Sequence, residues 1–168
     1  MKPISVVRFG IVAGALAAAG LYSTTPAFAA AQTGTWTGSA AGMTFDIGQS
    51  PIGLPQSCSF PNADANFLFL SGNAVFHGTT NNNGDWGGGT MEGTAVLYED
   101  TTAIAQGHLS VWEGGGTNVQ GQNEGGLTVD FHGDGPGGTV QIHVSGHMTV
   151  NAQGQPTADV VNVNISCS

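Results

Sequence analysis

Basic residues are nearly absent from this chain. Of its 168 residues only two are Lys or Arg, namely Lys2 and Arg8, against eleven Asp and Glu, and the formal net charge is −9. Residues 9–168 therefore contain no Lys or Arg. A surface of this composition repels phosphate groups, which disfavours nucleic acid, phosphorylated ligands and anionic lipid headgroups as partners.

Long apolar runs are also scarce, and the most apolar one lies near the N-terminus. The two basic residues are followed by an apolar run over 11–21 and then by Ala27-Phe28-Ala29. This order is typical of a secretory signal peptide with an A-x-A cleavage site. We therefore expect a secreted protein in which residues 1–29 are the signal peptide and residues 30–168 form a single domain. An uncleaved N-terminal anchor is the alternative, and no later segment has the roughly 18 apolar residues that a membrane span requires.

Cysteine is limited to Cys58 and Cys167. In an oxidising compartment these two are expected to form one disulfide. A disulfide that closes the long loop between Cys58 and Cys167 stabilises the folded chain by roughly 4 to 5 kcal/mol in the chain-entropy model. Two free thiols are the alternative.

Helical periodicity is missing too, since no segment keeps a 3.6-residue period for three turns. Within short segments rich in Val, Thr, Phe and Ile, apolar and polar residues alternate with a period of two, which predicts an all-β fold. Glycine clusters at 81–90, 112–118 and 132–139 are interpreted as turns. These breaks leave nine segments, or about eight strands if residues 40–42 form only a bulge. The predicted strands cover 34–38, 43–48, 66–71, 73–79, 91–98, 103–112, 126–132, 139–150 and 157–166.

The last strands have one apolar face and one polar face. A short turn between the final two predicts that Val144 faces Val163 and that Ile142 faces Ile165. The same reasoning places Asp130 opposite Gln141 on the polar face. One buried face per strand suits both a β-barrel and a two-sheet β-sandwich. Because short hairpins join sequential strands, we predict an antiparallel up-and-down β-barrel of about eight strands, with the sandwich as the alternative.

The five histidines all fall in predicted strands. His143 and His147 have the spacing of a helical zinc motif, but in a strand they lie roughly 13 Å apart and cannot share one ion. Across strands, His143 comes diagonal to Asp130. Glu92 faces His108 only if the turn between their strands has an odd number of residues.

A polar patch is therefore the candidate site, formed by His108, Asp130, His143, His147 and Glu92. Imidazole and carboxylate suit a divalent metal, a small ligand or the acid and base of a small cyclase- or isomerase-like enzyme. The alternative is a solvated face whose histidines bond to Ser, Thr and Asn. Trp36, Trp86 and Trp112 are candidates for stacking on carbohydrate, or else residues that plug the core or line its rim.

Two resemblances extend these inferences. Gly34-Thr35-Trp36 resembles the G-x-W opening of lipocalins and avidins, the calycin group, which implies an eight-stranded barrel with Trp36 closing one end. Residues 91–167 are similar to small secreted actinobacterial β-proteins of unknown function. The shared features are G-H-x3-W at 107–112, F-x-G at 131–133, D-G at 134–135, H-x3-H at 143–147, N-A-x-G at 151–154 and the closing Cys167.

The second resemblance implies an exported β-domain and names no reaction. We therefore expect a secreted, disulfide-containing binding or surface-interaction protein that is not an enzyme. Its expected partner is a small apolar ligand or a cell-envelope component. No cofactor is expected, except that a divalent metal would suit the face formed by His108, Asp130 and His143.

Overall fold

The computed structural model describes residues 31–46, 65–99 and 101–168. The predicted signal peptide and Cys58 lie outside these ranges. Within them the chain forms eight β-strands, and no helix there is long and apolar enough to cross a membrane. The strands are β1 (Gln32–Ser39), β2 (Thr44–Asp46), β3 (Ala65–Asn81), β4 (Gly84–Glu99), β5 (Thr102–Asn118), β6 (Asn123–Gly135), β7 (Gly138–Val150) and β8 (Pro156–Cys167).

All eight strands belong to one antiparallel sheet. From β3 to β8 each strand pairs with the next along the chain, while β1 and β2 both pair with the same side of β3. The predictions of an all-β fold and of an up-and-down arrangement of eight strands are confirmed. Among the described strands β8 does not pair with β1 or β2, so closure into a barrel, like the alternative sandwich, stays a prediction.

The sheet curls strongly across its width. Phe67 on β3 and Phe131 on β6 have ring centroids 5.1 Å apart. In a flat sheet three strand spacings separate these strands, which is about 14 Å. The sheet must therefore fold its inner face toward itself, and this face holds the core.

The core consists of alternate residues on the inner face. Leu109, Val111 and Val129 are fully buried, and each such side chain stabilises the fold by about 1.5 to 3 kcal/mol relative to an exposed one. Ile142 faces Ile165 and Val144 faces Val163, as the alternation predicts. The core cluster comprises Ala40, Phe67, Phe69, Ala74, Met91, Ala95, Leu97, Ala105, Leu109, Val111, Val129, Phe131, Val140, Ile142 and Val144.

Three details of the predicted strands are wrong. Segments 66–71 and 73–79 are one strand, β3, whose register shifts between Phe69 and Ser71. Asp130 faces His143 instead of Gln141, because β6 and β7 continue to a two-residue loop at Pro136-Gly137. The glycine clusters at 81–90 and 112–118 lie mostly inside β4 and β5 and are not turns.

Candidate functional site

The outer face of the sheet, opposite the core, carries the candidate residues. Side chains alternate between the two faces of each strand, so the buried Leu109 and Phe131 place His108 and Asp130 on the outer face. His143 lies between the buried Ile142 and Val144 on β7 and shares that face. The predicted polar face therefore exists, and most of it is open to solvent.

Two histidine–carboxylate pairs occupy one part of this face. His143 Nδ1 lies 2.6 Å from Asp130 Oδ1, and the two residues are direct cross-strand partners. His108 Nε2 lies 3.4 Å from Glu92 Oε1. All four side chains are at least half exposed, between 50% and 67%. Solvent screens such pairs, so each contributes no more than about 1 kcal/mol.

The position of Glu92, which the sequence left open, is settled by the register of β4 and β5. Glu92 pairs with Ser110, and His108 pairs with Thr94. Glu92 and His108 are therefore diagonal neighbours on one face, two residues from the direct facing that an odd turn would give. This geometry explains the longer distance of the second pair.

His132 joins this group, although the sequence interpretation omitted it. It is the direct cross-strand partner of His108. His108, Asp130, His132 and His143 line one shallow depression of about 300 Å³. The sequence did offer a signal for His132, because a spacing of two residues places His132 and Asp130 on the same face of a strand. In the described part of the chain, no three His, Cys, Asp or Glu side chains are placed to hold a metal ion.

His147 lies apart from this group. It belongs to another row of cross-strand partners, in which His77, Gly88, Gly114, Gly126 and His147 follow one another across β3 to β7. His77 is held at its end of the row by a hydrogen bond of 2.9 Å between Nδ1 and the hydroxyl of Thr35. The row thus has a histidine at each end and three glycines between them.

We call the concavity above these glycines the glycine trough. It has a volume of about 700 Å³ and runs across the outer face from β3 to β8. Five strand spacings correspond to about 24 Å along the curved sheet. Because the central glycines have no side chains, an aromatic ring can lie directly on the floor of the trough.

Two exposed tryptophans flank the trough. A Cβ atom on Gly114 would come 3.0 Å from Cζ2 of Trp112, and one on Gly126 would come 3.0 Å from Cζ3. The six-membered ring of Trp112 therefore lies across both glycines. Trp86 contacts the position of a Cβ on Gly116 in the same way. The two tryptophans, Trp112 and Trp86, remain 47% and 38% exposed, so much of each ring contacts solvent.

Polar side chains complete the lining. Hydroxyl and amide groups come from Thr79, Thr128, Ser145 and Asn162, and the carboxylate comes from Glu124. The hydroxyl and amide groups can both donate and accept hydrogen bonds, and a carboxylate accepts them. Trp36 does not join the other tryptophans, because it packs near Phe76 with ring centroids 5.6 Å apart.

Among the described residues, burial raises the pKa of the Glu113 carboxyl group. It lies on the inner face, where its cross-strand partners are Gly89 and Leu127. A ligand in the trough would be separated from this carboxyl by the sheet. Glu113 therefore does not belong to either outer-face site.

Comparison with known proteins finds no family, no curated protein and no solved structure that matches this chain.

Proposed function

We propose that this is an exported, non-enzymatic binding protein that holds a neutral saccharide chain in the glycine trough. The observation that carries the proposal is the pair of exposed indole rings, Trp86 and Trp112, beside a trough of about 700 Å³. Exposed aromatic surface bordered by polar groups is typical of binding sites. Export and a Cys58–Cys167 disulfide, both predicted from the sequence, belong to the same proposal.

The chemistry of the trough suits a saccharide. A pyranose ring has C–H groups on its faces and hydroxyl groups around its rim. An indole ring offers a large apolar surface to such a face. The side chains of Thr128, Ser145 and Asn162 can exchange hydrogen bonds with the hydroxyl groups.

Charge favours a neutral chain over an acidic one. Residues 31–168 contain no Lys or Arg, and the trough is lined by the carboxylate of Glu124. Phosphate, sulfate or uronate groups would be repelled by this surface. The elongated, open form of the trough suits a chain that continues beyond the protein at both ends, as a cell-envelope polysaccharide does.

The titratable side chains of the trough suit hydrogen bonding to a ligand, and Glu113, whose pKa burial raises, faces away from it. His77, His147 and Glu124 line the trough as exposed side chains suited to hydrogen bonding.

Calorimetric titration with neutral oligosaccharides of glucose, xylose and mannose tests the proposal. We expect one of these series to bind and Trp112→Ala to weaken binding at least about tenfold, or about 1.4 kcal/mol. Trp36→Ala, which removes an indole from the inner face, is the matched control and should leave the affinity unchanged. If no series binds, or if Trp112→Ala binds as well as the original protein, the proposal is wrong.

A second candidate rests on the short contact between His143 and Asp130, beside His108 and Glu92. A carboxylate that holds one imidazole nitrogen orients the other for a metal or a small ligand. The same titration with zinc, copper and calcium separates the two candidates. Heat that His143→Ala abolishes, together with no saccharide binding, would favour this second function.

A further inference from the structure

Among the strands that the structure describes, β8 lies at an edge of the sheet. It pairs with β7 on one side, and no described strand pairs with its other side. The backbone N–H and C=O groups along such a side are unpaired and can bind another extended strand. Nearly the whole strand is exposed, from Pro156 to Asn164.

This edge lacks the usual protection against pairing. Natural edge strands carry lysines, prolines, bulges or many charges, or they are very short. β8 has twelve residues, its proline is the first of them, and Asp159 is its one charged residue. The register shift at Thr149 and Val150 leaves Thr157, the second residue of β8, as a bulge, so the strand is regular from Ala158 onward.

Apolar side chains are exposed on both faces of the same strand. Val160 on the outer face is 53% exposed, and Val161 and Val163 on the inner face are each 41% exposed. The opposite edge is formed by β1 and by the three-residue strand β2, and β1 differs from β8 because its outer face carries Thr33, Thr35 and Thr37. The unprotected apolar edge is therefore the β8 edge.

The residue pattern of β8 is complementary to itself when the strand is reversed. In an antiparallel pair centred on Val163, that residue meets Val163 of a second copy, and Val161 meets Ile165 of the second copy. On the outer face, Asn162 meets Asn164 of the second copy. From Val161 to Ile165, apolar side chains thus oppose apolar ones and amides oppose amides, as stable cross-strand pairs do, and further out Val160 meets Ser166 of the second copy.

Charge is also compatible with this pairing. In a pair centred on Val163 the two Asp159 carboxylates lie eight positions apart along the strands, or about 26 Å. At physiological salt this distance exceeds the screening length of about 8 Å. The strongly acidic chains therefore meet at a segment with little charge of its own.

We propose that two copies of this protein associate through their β8 strands, in an antiparallel pair centred on Val163, and form a two-fold dimer. The contact is isologous, so it closes on itself and does not propagate into a fibre. It would also cover the exposed inner-face valines, Val161 and Val163, with apolar side chains of the second copy. This proposal does not depend on the saccharide function.

Sedimentation velocity of the purified protein and of two double variants tests both the association and its register. The original protein should sediment as a dimer. Asn162→Lys/Asn164→Lys places the new lysine at position 162 against the new lysine at position 164 of the second copy, twice per dimer. This variant should weaken dimerisation at least about tenfold, because like charges directly opposite each other destabilise a strand pair. It lowers the net negative charge of each copy, so general repulsion cannot explain the loss.

Asn162→Lys/Asn164→Asp is the matched variant and should restore the dimer, because the lysine at position 162 then faces the aspartate at position 164 of the second copy. A pair centred on Asn162 would instead oppose the two introduced lysines and would not be restored. Circular dichroism shows whether both variants fold, as expected for exposed positions. A monomeric original protein, a dimer that survives the double lysine variant, or a folded lysine–aspartate variant that stays monomeric would each overturn the proposal.

Discussion

The two halves of this sheet share strands and hydrogen bonding but differ in what holds them together. We call the half of the sheet around Leu109 and Val111 of β5 the apolar half, and both of these side chains are fully buried. In the other half, the glycine half, the same strand continues with Gly114 to Gly116. The inner face there presents Gly87, Gly115 and Gly125 as successive partners, and the outer face presents the floor of the trough.

Within one sheet, the apolar half stabilises the fold and the glycine half carries the proposed binding surface. The apolar half buries side chains, and this burial is the main favourable contribution to folding. The glycine half contributes backbone hydrogen bonds and a surface on which indole rings can lie. Regions with few buried apolar contacts open more readily, and binding surfaces are often found in such regions. The strands run through both halves, so the first half supports the second.

The largest effect is expected in the apolar half. Leu109→Ala removes a fully buried side chain from the centre of the core and should lower the free energy of unfolding by about 2 to 5 kcal/mol. Chemical denaturation measures this change. Val119→Ala, at a position that is 60% exposed, is the control and should change stability by less than about 0.5 kcal/mol. Similar losses in both variants would contradict the division into two halves.

A smaller effect is expected in the glycine half. A Cβ on Gly126 would lie 3.0 Å from Cζ3 of Trp112, so Gly126→Ala must displace the ring. We expect a loss of about 1 kcal/mol and a shift in tryptophan fluorescence. On Gly34 a Cβ would meet nothing within 4 Å, so Gly34→Ala should leave the fluorescence unchanged and stability equal or slightly higher. Unchanged fluorescence in Gly126→Ala would show that Trp112 does not rest on these glycines.

The apolar half was the more predictable from sequence, for a physical reason. Alternation of apolar and polar residues assigns each strand its two faces, and short turns then fix pairs such as Ile142 with Ile165. A slip of two residues preserves every face, so the pattern could not detect that Asp130 faces His143 instead of Gln141. The sequence therefore predicted the faces correctly and this one register incorrectly.

The glycine half was not predictable from local pattern. Glycine carries no apolar or polar signal, and a cluster of it normally marks a turn. Here Gly114 and Gly126 lie on different strands beneath one ring, that of Trp112. Only the paired sheet brings the three together. The same limit explains why His147 was grouped with His143, which lies on the same face of the same strand but in a different cross-strand row.

Glu113 lies at the boundary between the halves and gives the smallest expected effect. It follows the buried Val111 on the inner face, and burial raises its pKa above the ordinary value of 4.5. The folded protein therefore binds this proton more tightly than the unfolded chain does, so stability falls as pH rises from about 4.5 through the raised pKa. Glu113→Gln should remove this loss. At pH 7 the variant should be more stable by less than about 0.5 kcal/mol, because the side chain is partly exposed and solvent screens its charge.

The sign of this effect can be measured by comparing denaturation of the two proteins at pH 7 and at pH 4. At pH 4 the carboxyl group is largely protonated in both the folded and the unfolded chain, so the advantage of Glu113→Gln should vanish. Glu124→Gln, an exposed position on the outer face, is the control and should show no such gain at pH 7. A Glu113→Gln variant that is less stable at both pH values would mean that the carboxyl group is held by a favourable contact. The boundary between the two halves would then lie beyond Glu113, toward the glycines.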